Sequence, residues 1–165
     1  MAKLGTTKYK SNLQEKRVAK DLHAKTVVAS GAIWSAKADV RNDLFLCECK
    51  TTDKPFYSLT MQVWDKVEKE AVKDGLRVPL MCIELNGGKD KFAVFKEKDF
   101  MHLCIRYSDL CVGDTQWCDK KSFRVVSPAR MIMSRFTNRR GVPVLIVCTW
   151  EDFLYMIKGG IRSGT

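Results

Sequence analysis

The run Leu44-Phe45-Leu46-Cys47-Glu48-Cys49-Lys50-Thr51 limits what this chain can fold into more than any other segment. Side chains of a β-strand alternate between faces. Leu44, Phe45, Leu46 and Cys47 suit a mostly buried strand, so Glu48 and Lys50 point one way while Cys47 and Cys49 point the other. An acid and a base carried into apolar surroundings cost several kcal/mol unless they are paired or bind a metal. Asp39 lies just upstream, across an Asn42-Asp43 hairpin turn. Two carboxylates and an ammonium are therefore expected to converge on one spot, which is what a hydrolytic Mg²⁺ site needs.

With 165 residues the chain can build one domain with a sizeable core. Its 45% hydrophobic and 29% charged content excludes a disordered chain. There is no apolar run near ~18 residues and no signal-peptide layout. The expectation is a soluble, cytoplasmic protein without a membrane partner, in the host cytoplasm if phage-encoded. The 7 cysteines are odd in number and lack the spacing of a zinc site, so reduced thiols are expected. Cys82 and Cys148 sit in apolar runs, where a free Cys behaves as a small hydrophobe.

The net charge of +10 is unevenly spread. Residues 1–25 hold seven Lys/Arg against two Asp/Glu, and residues 119–165 hold nine against three. The stretch between them holds 13 against 14. Basic ends around a near-neutral centre suit a polyanion gripped by the flanks while chemistry proceeds in the middle.

Residues 1–10 read as a basic arm. Residues 11–25 read as a helix capped by Ser11 or Asn12, with Val18, Ala19 and Leu22 on its apolar stripe. Counting back three and four from these places Glu15 on the same stripe, a second misplaced carboxylate. Short strands are expected at Thr26–Ala29 and around Asp39, then the central strand, a Pro-containing loop, and a helix over Leu59–Asp74 closed by Gly75. Strands over Val78–Leu85 and Lys91–Lys96, joined by Asn86-Gly87-Gly88-Lys89-Asp90, lead into a helix from Glu97 to about Tyr107. Beyond it come a strand at Ser122–Val126, a helix from Pro128 to about Phe136, a strand at Val142–Trp150 and a helix at Glu151–Ile157. The fold class is α/β of the mixed α+β kind, a mixed central sheet flanked by helices. The organisation expected is an arm over 1–10, a core over 11–110, and a C-terminal strand and helix extension over 111–165 packed on the same domain.

Asp39, Glu48 and Lys50 fit the division of labour in phosphodiester hydrolysis. Carboxylates hold one or two hard cations through oxygen. The metal polarises the scissile phosphate and acidifies its water. The lysine orients that water or neutralises charge in the transition state. Glu15 would add a third carboxylate to the metal shell. The two histidines, His23 and His102, have no partner pattern, which disfavours a His-based nuclease.

An early helical Glu followed by D-x(8)-E-x-K resembles the PD-(D/E)xK nuclease superfamily, and within it the archaeal-type and phage-type Holliday junction resolvases. The resemblance spans roughly residues 11–100: the Glu15 helix, the turn Ala29-Ser30-Gly31-Ala32, Asp39, Glu48-Cys49-Lys50, and the helix carrying Gln62. It implies a restriction-endonuclease-like core, Glu15, Asp39, Glu48, Lys50 and Ser30 as catalytic residues, and Mg²⁺ as cofactor with Mn²⁺ expected to substitute. It also implies a homodimer cutting four-way DNA junctions. Ala38 stands where the family often has proline, and the chain runs on past the core. Candidate DNA contacts are Lys37 and Arg41 beside Asp39, Trp34 as a base-stacking residue, Gln62, and the basic group Arg135, Arg139 and Arg140.

Two other readings use the same residues differently. One is a restriction, repair or recombination nuclease acting on duplex, nicked or single-stranded DNA. The other is a basic nucleic-acid-binding module whose acidic residues are structural.

Overall fold

A computed structural model describes residues 6–27, 38–101, 112–117, 122–126, 133–137 and 144–157. Helix α1 spans Thr7–Asp21, followed by strands β1 (Lys25–Thr26), β2 (Val40–Arg41), β3 (Phe45–Thr51) and β4 (Phe56–Thr60). Helix α2 (Met61–Lys73) then leads to β5 (Val78–Leu85), β6 (Asp90–Lys96) and the short α3 (Glu97–Met101). The remaining elements are β7 (Val112–Trp117), β8 (Ser122–Val126), β9 (Met133–Thr137), β10 (Leu145–Thr149) and α4 (Trp150–Ile157).

Eight strands form one mixed sheet in the order β1-β2-β3-β5-β6-β10-β9-β7, and β4 and β8 form a separate two-stranded ribbon. Strands β3 and β5 run parallel, with Cys49 beside Cys82 and Lys50 beside Ile83. A parallel neighbour requires a crossover, here β4 and α2. One face of the sheet carries Cys47, Cys49, Leu80, Cys82 and Ala93 and packs on Val18 and Ala19 of α1, Leu22 at its C-cap, and Trp150, Phe153 and Met156 of α4. On the opposite face, Met81, Ile83, Leu85 and Val94 meet Trp64 and Val67 of α2, with Leu59 and Val125 from the ribbon. The mixed α/β architecture read from the periodicities is thus the one observed.

Several boundaries differ for identifiable reasons. The first helix begins at Thr7 rather than residue 11, because Thr6 caps it by accepting from the Tyr9 amide at 3.3 Å. It ends at Asp21, and His23 turns the chain with φ +50°. In α2 the cap is Thr60, which accepts from the Val63 amide at 3.3 Å, and Gly75 supplies the φ of +92° that closes the helix. The loop expected after Thr51 contains β4, whose alternation is partly masked by Pro55 and two lysine-flanked polar residues. The helix expected from Pro128 to Phe136 is corrected: Met133–Thr137 is strand β9, antiparallel to β10 and parallel to β7. Pairing with the strongly apolar β10 overrides local helical preference there. Strand β7 had no counterpart in the sequence reading. The third helix is described only as far as Met101.

Cys47, Cys49, Cys82 and Cys148 are free and buried, in keeping with reduced thiols. Among the described residues, no helix is long and apolar enough to cross a membrane.

Candidate active site

The β2–β3 hairpin builds the site. Asn42 closes the turn with its side-chain oxygen, accepting from the Leu44 amide at 2.9 Å and the Phe45 amide at 2.7 Å. Val40 then pairs with Cys47 and Arg41 with Leu46. One step along this antiparallel register, Asp39 arrives beside Glu48. The Cys49 amide donates to Asp39 Oδ2 at 2.7 Å. Because the β2–β3 ladder covers only Leu46 and Cys47 of β3, this carboxylate takes the place of a strand partner for Cys49.

Glu48 and Lys50 share the α2 face of β3, as the strand period requires. Lys50 Nζ donates to Glu48 Oε1 at 2.6 Å, with Glu48 buried and Lys50 half-buried. Burial disfavours the Lys50 charge, but the Glu48 bond and the Glu48 and Asp39 charges outweigh it and raise the pKa. Lys50 therefore stays an ammonium. Asp39 is raised from 3.8 to about 6, first by burial, against the lowering effect of the Cys49 amide, and further by the Glu48 and Glu15 charges.

Glu15 sits half-buried on α1, above the other face of the sheet, and accepts from Ser11 Oγ at 3.2 Å. It acts on Asp39 through its field. Among the described residues, no three His, Cys, Asp or Glu side chains group closely enough to hold one cation. The oxygens that could hold a metal are those of Asp39 and Glu48. They suit a hard cation in kind: both are carboxylates, and Asp39, raised first by burial and then by the Glu48 and Glu15 charges, carries a charge that a divalent cation would stabilise. The nearby thiols of Cys47 and Cys49 are buried on the opposite face and held in their neutral form, Cys47 by burial and Cys49 first by its hydrogen bond with Cys47 and then by burial.

The other candidates are dispersed. Arg41 is exposed and bonded to Asp74 at 3.1 Å, so it is engaged away from Asp39. Gln62 is exposed on the first turn of α2, and Arg135 lies in β9 opposite Ile146. Ser30, Trp34, Lys37, Arg139 and Arg140 lie outside the described residues.

Two residues beside the site were not read from the sequence. Gln14, fully buried on α1, donates through Nε2 to the carbonyl of Lys50 at 3.0 Å and to that of Cys82 at 3.1 Å. It ties the helix bearing Glu15 to the backbone of Lys50. Its signal was present, since Gln14 stands four residues before Val18 on the same stripe. Tyr57 of β4 is half-buried against the α2-side core and raised in pKa by burial, with Lys50 opposing and Glu48 reinforcing the shift. It had been read as part of a loop.

No known protein family matches the chain, and no curated protein matches it. Among solved structures, it is similar to Hjc, a Holliday junction resolvase of the archaeal hyperthermophile Archaeoglobus fulgidus. Identity is 16%, with 68% of this chain and 84% of that chain covered and a TM-score of 0.42.

Proposed function

We propose that this chain is a Mg²⁺-dependent, structure-selective DNA endonuclease that acts as a homodimer on four-way junctions. The observation that carries the reading is the Glu48–Lys50 pair at 2.6 Å, with Asp39 bonded to the amide of the residue between them. A buried acid–base pair beside a second carboxylate contributes little to stability, and it is the chemistry that phosphodiester cleavage requires. Asp39 and Glu48 would hold a Mg²⁺ ion, which would supply charge neutralisation at the phosphate and a more acidic water. Lys50 remains protonated and faces the same point, so it can hold a phosphate oxygen or orient the attacking water. Asp39, with a pKa about 6, is ionised at neutral pH. The basic ends of a chain with net charge +10 supply affinity without sequence preference.

The test is cleavage of a labelled four-way junction and of a linear duplex of the same sequence in Mg²⁺, with Asp39→Ala and Glu48→Ala as controls. Junction cleavage lost in both variants while junction binding persists is the expected result. Equal rates on junction and duplex would remove the junction preference and leave a nuclease of restriction or repair type. Binding with no cleavage by the unaltered protein would leave only a basic nucleic-acid-binding module.

A further inference from the structure

The β4–β8 ribbon has two unlike faces. Its antiparallel register sets Ser58 opposite Arg124 and Tyr57 opposite Val125. Tyr57, Leu59 and Val125 turn inward onto the α2-side core. Phe56 and Ser58, two residues apart, take the other face together with Arg124. There the Arg124 guanidinium carbon lies 4.8 Å from the centre of the Phe56 ring, the diagonal contact expected across such a pair. Lys54 Nζ lies 5.9 Å from the same ring.

One aromatic ring therefore gathers two cations. Both are exposed, and among the described residues neither forms an ion pair with an acid. Two like charges brought to one ring repel each other, and a cation–π contact at an exposed site is a weak attraction. The arrangement becomes favourable when an anion joins it. The backbone at Lys54 is itself anchored, since its carbonyl accepts from the Asn86 amide at 3.1 Å and its amide donates to Thr52 Oγ1 at 3.2 Å.

We infer that the outer face of the β4–β8 ribbon, Lys54, Phe56 and Arg124, is a contact surface for the sugar-phosphate backbone of the nucleic acid cut at Asp39 and Glu48. This rests on the nuclease reading. Phe56 follows Lys50 by six positions, so its Cα lies within about 22 Å of the Lys50 Cα. With one phosphate per ~3.4 Å of each strand, the surface meets phosphates no more than about six nucleotides from the scissile one. The two cations neutralise successive phosphates, and the ring keeps their side chains from relaxing into solvent. The surface gives affinity and register and carries no base-specific donors.

The experiment measures binding of a 30-nucleotide duplex without Mg²⁺, as a function of KCl, and cleavage of the same duplex arranged as a four-way junction in Mg²⁺. The proteins are the unaltered chain, the double variant Lys54→Ala/Arg124→Ala, Phe56→Ala and Phe56→Tyr. In the double variant the slope of log affinity against log salt should fall by about 1.8, the value for two phosphate contacts, alike on unrelated sequences. Phe56→Ala should weaken binding several-fold and Phe56→Tyr should restore it, which a merely unfolded ribbon would not do. Unchanged slopes in a protein that cleaves overturn the inference and leave the nuclease reading intact. Reduced slopes in a chain that cuts nothing overturn the nuclease reading and leave a nucleic-acid contact surface. Polyglutamate bound as tightly as DNA, and lost in the same variants, overturns the assignment to nucleic acid.

Discussion

Asp39 and Cys49 are joined by a 2.7 Å hydrogen bond from the Cys49 amide to the carboxylate, across ten residues of sequence. The bond makes a side chain serve as a strand partner. Once β2 has paired with Leu46 and Cys47, the next free amide of β3 on that side is satisfied by Asp39. The carboxylate is thereby fixed at the backbone between Glu48 and Lys50. The residue between the acid and the base need not be chemically special; its amide is what matters.

This placement costs stability in the metal-free protein. Asp39 has a folded pKa of about 6 against 3.8. A carboxyl raised in this way contributes stability that is fully present below pH 3.8 and lost as pH rises through about 6. Asp39→Asn keeps an oxygen for the Cys49 amide and cannot ionise. It should match the unaltered protein near pH 4 and exceed it above pH 6 by about 1–2 kcal/mol, after discounting for partial solvent access. Adding Mg²⁺ at pH 7.5 should raise the melting temperature of the unaltered protein only. Thermal melts across pH, with and without Mg²⁺, check both parts.

Lys50 is the residue whose removal should separate chemistry from binding. Its ammonium is stabilised by Glu48 at 2.6 Å, so it is charged throughout the working pH range. Lys50→Ala should lower the junction-cleavage rate by about 10²-fold or more, a typical loss for one electrostatic donor. Affinity for the junction without Mg²⁺ should change less than threefold. Lys50→Arg should not rescue the rate, because a planar guanidinium does not replace a compact ammonium. Single-turnover cleavage and equilibrium binding measure the two effects independently.

The charged core was legible because two periods agree with it. Glu48 and Lys50 follow from the period of two along β3, and Asp39 follows from the hairpin that Asn42 closes. The α/β class followed from the same reasoning, since strands and helices each showed their own repeat. Glu15 was legible as an acid near the apolar stripe, but its distance from the Asp39 and Glu48 carboxylates was not. That distance depends on how deeply α1 seats on the sheet, which Gln14 and Arg17 decide through residues remote in sequence. Strands β4 and β9 were unreadable for a similar reason. Each is short and polar on one face, and each exists because β8 or β10 offers a ladder.

Gln14 should prove structural and functional at once. It is fully buried, and its two donated bonds go to Lys50 and Cys82 carbonyls, while Oε1 has no partner. Gln14→Leu removes two hydrogen bonds to carbonyls that keep their β3–β5 ladder partners, each bond contributing about 0.5–1.5 kcal/mol, and removes one unsatisfied oxygen in return. A net loss of about 1 kcal/mol is expected, read as a lower denaturant midpoint at unchanged slope. Cleavage by the folded fraction should fall as well, because Glu15 and Lys50 lose their shared anchor. Circular dichroism in urea and cleavage in its absence give the two numbers.

Arg17 and Glu84 should behave as an unequal pair, in which the buried Glu84 depends on the exposed Arg17. Glu84 is 2% exposed in β5 and receives Arg17 Nη2 at 2.8 Å; Lys91 stands at 3.9 Å and is shared with Asp21. Arg17→Ala leaves the Glu84 carboxylate with that distant, shared cation. A destabilisation of about 3 kcal/mol is expected, since breaking one side of a buried pair strands the other charge. Glu84→Met should cost less, because Arg17 is 54% exposed at its side chain and can turn to water. The double variant Arg17→Met/Glu84→Met should recover most of the loss, since apolar residues of similar volume can replace such a pair without penalty. A double-mutant cycle on urea midpoints measures the coupling. Equal destabilisation by Arg17→Ala and the double variant would show that the pair is held by something other than its charges.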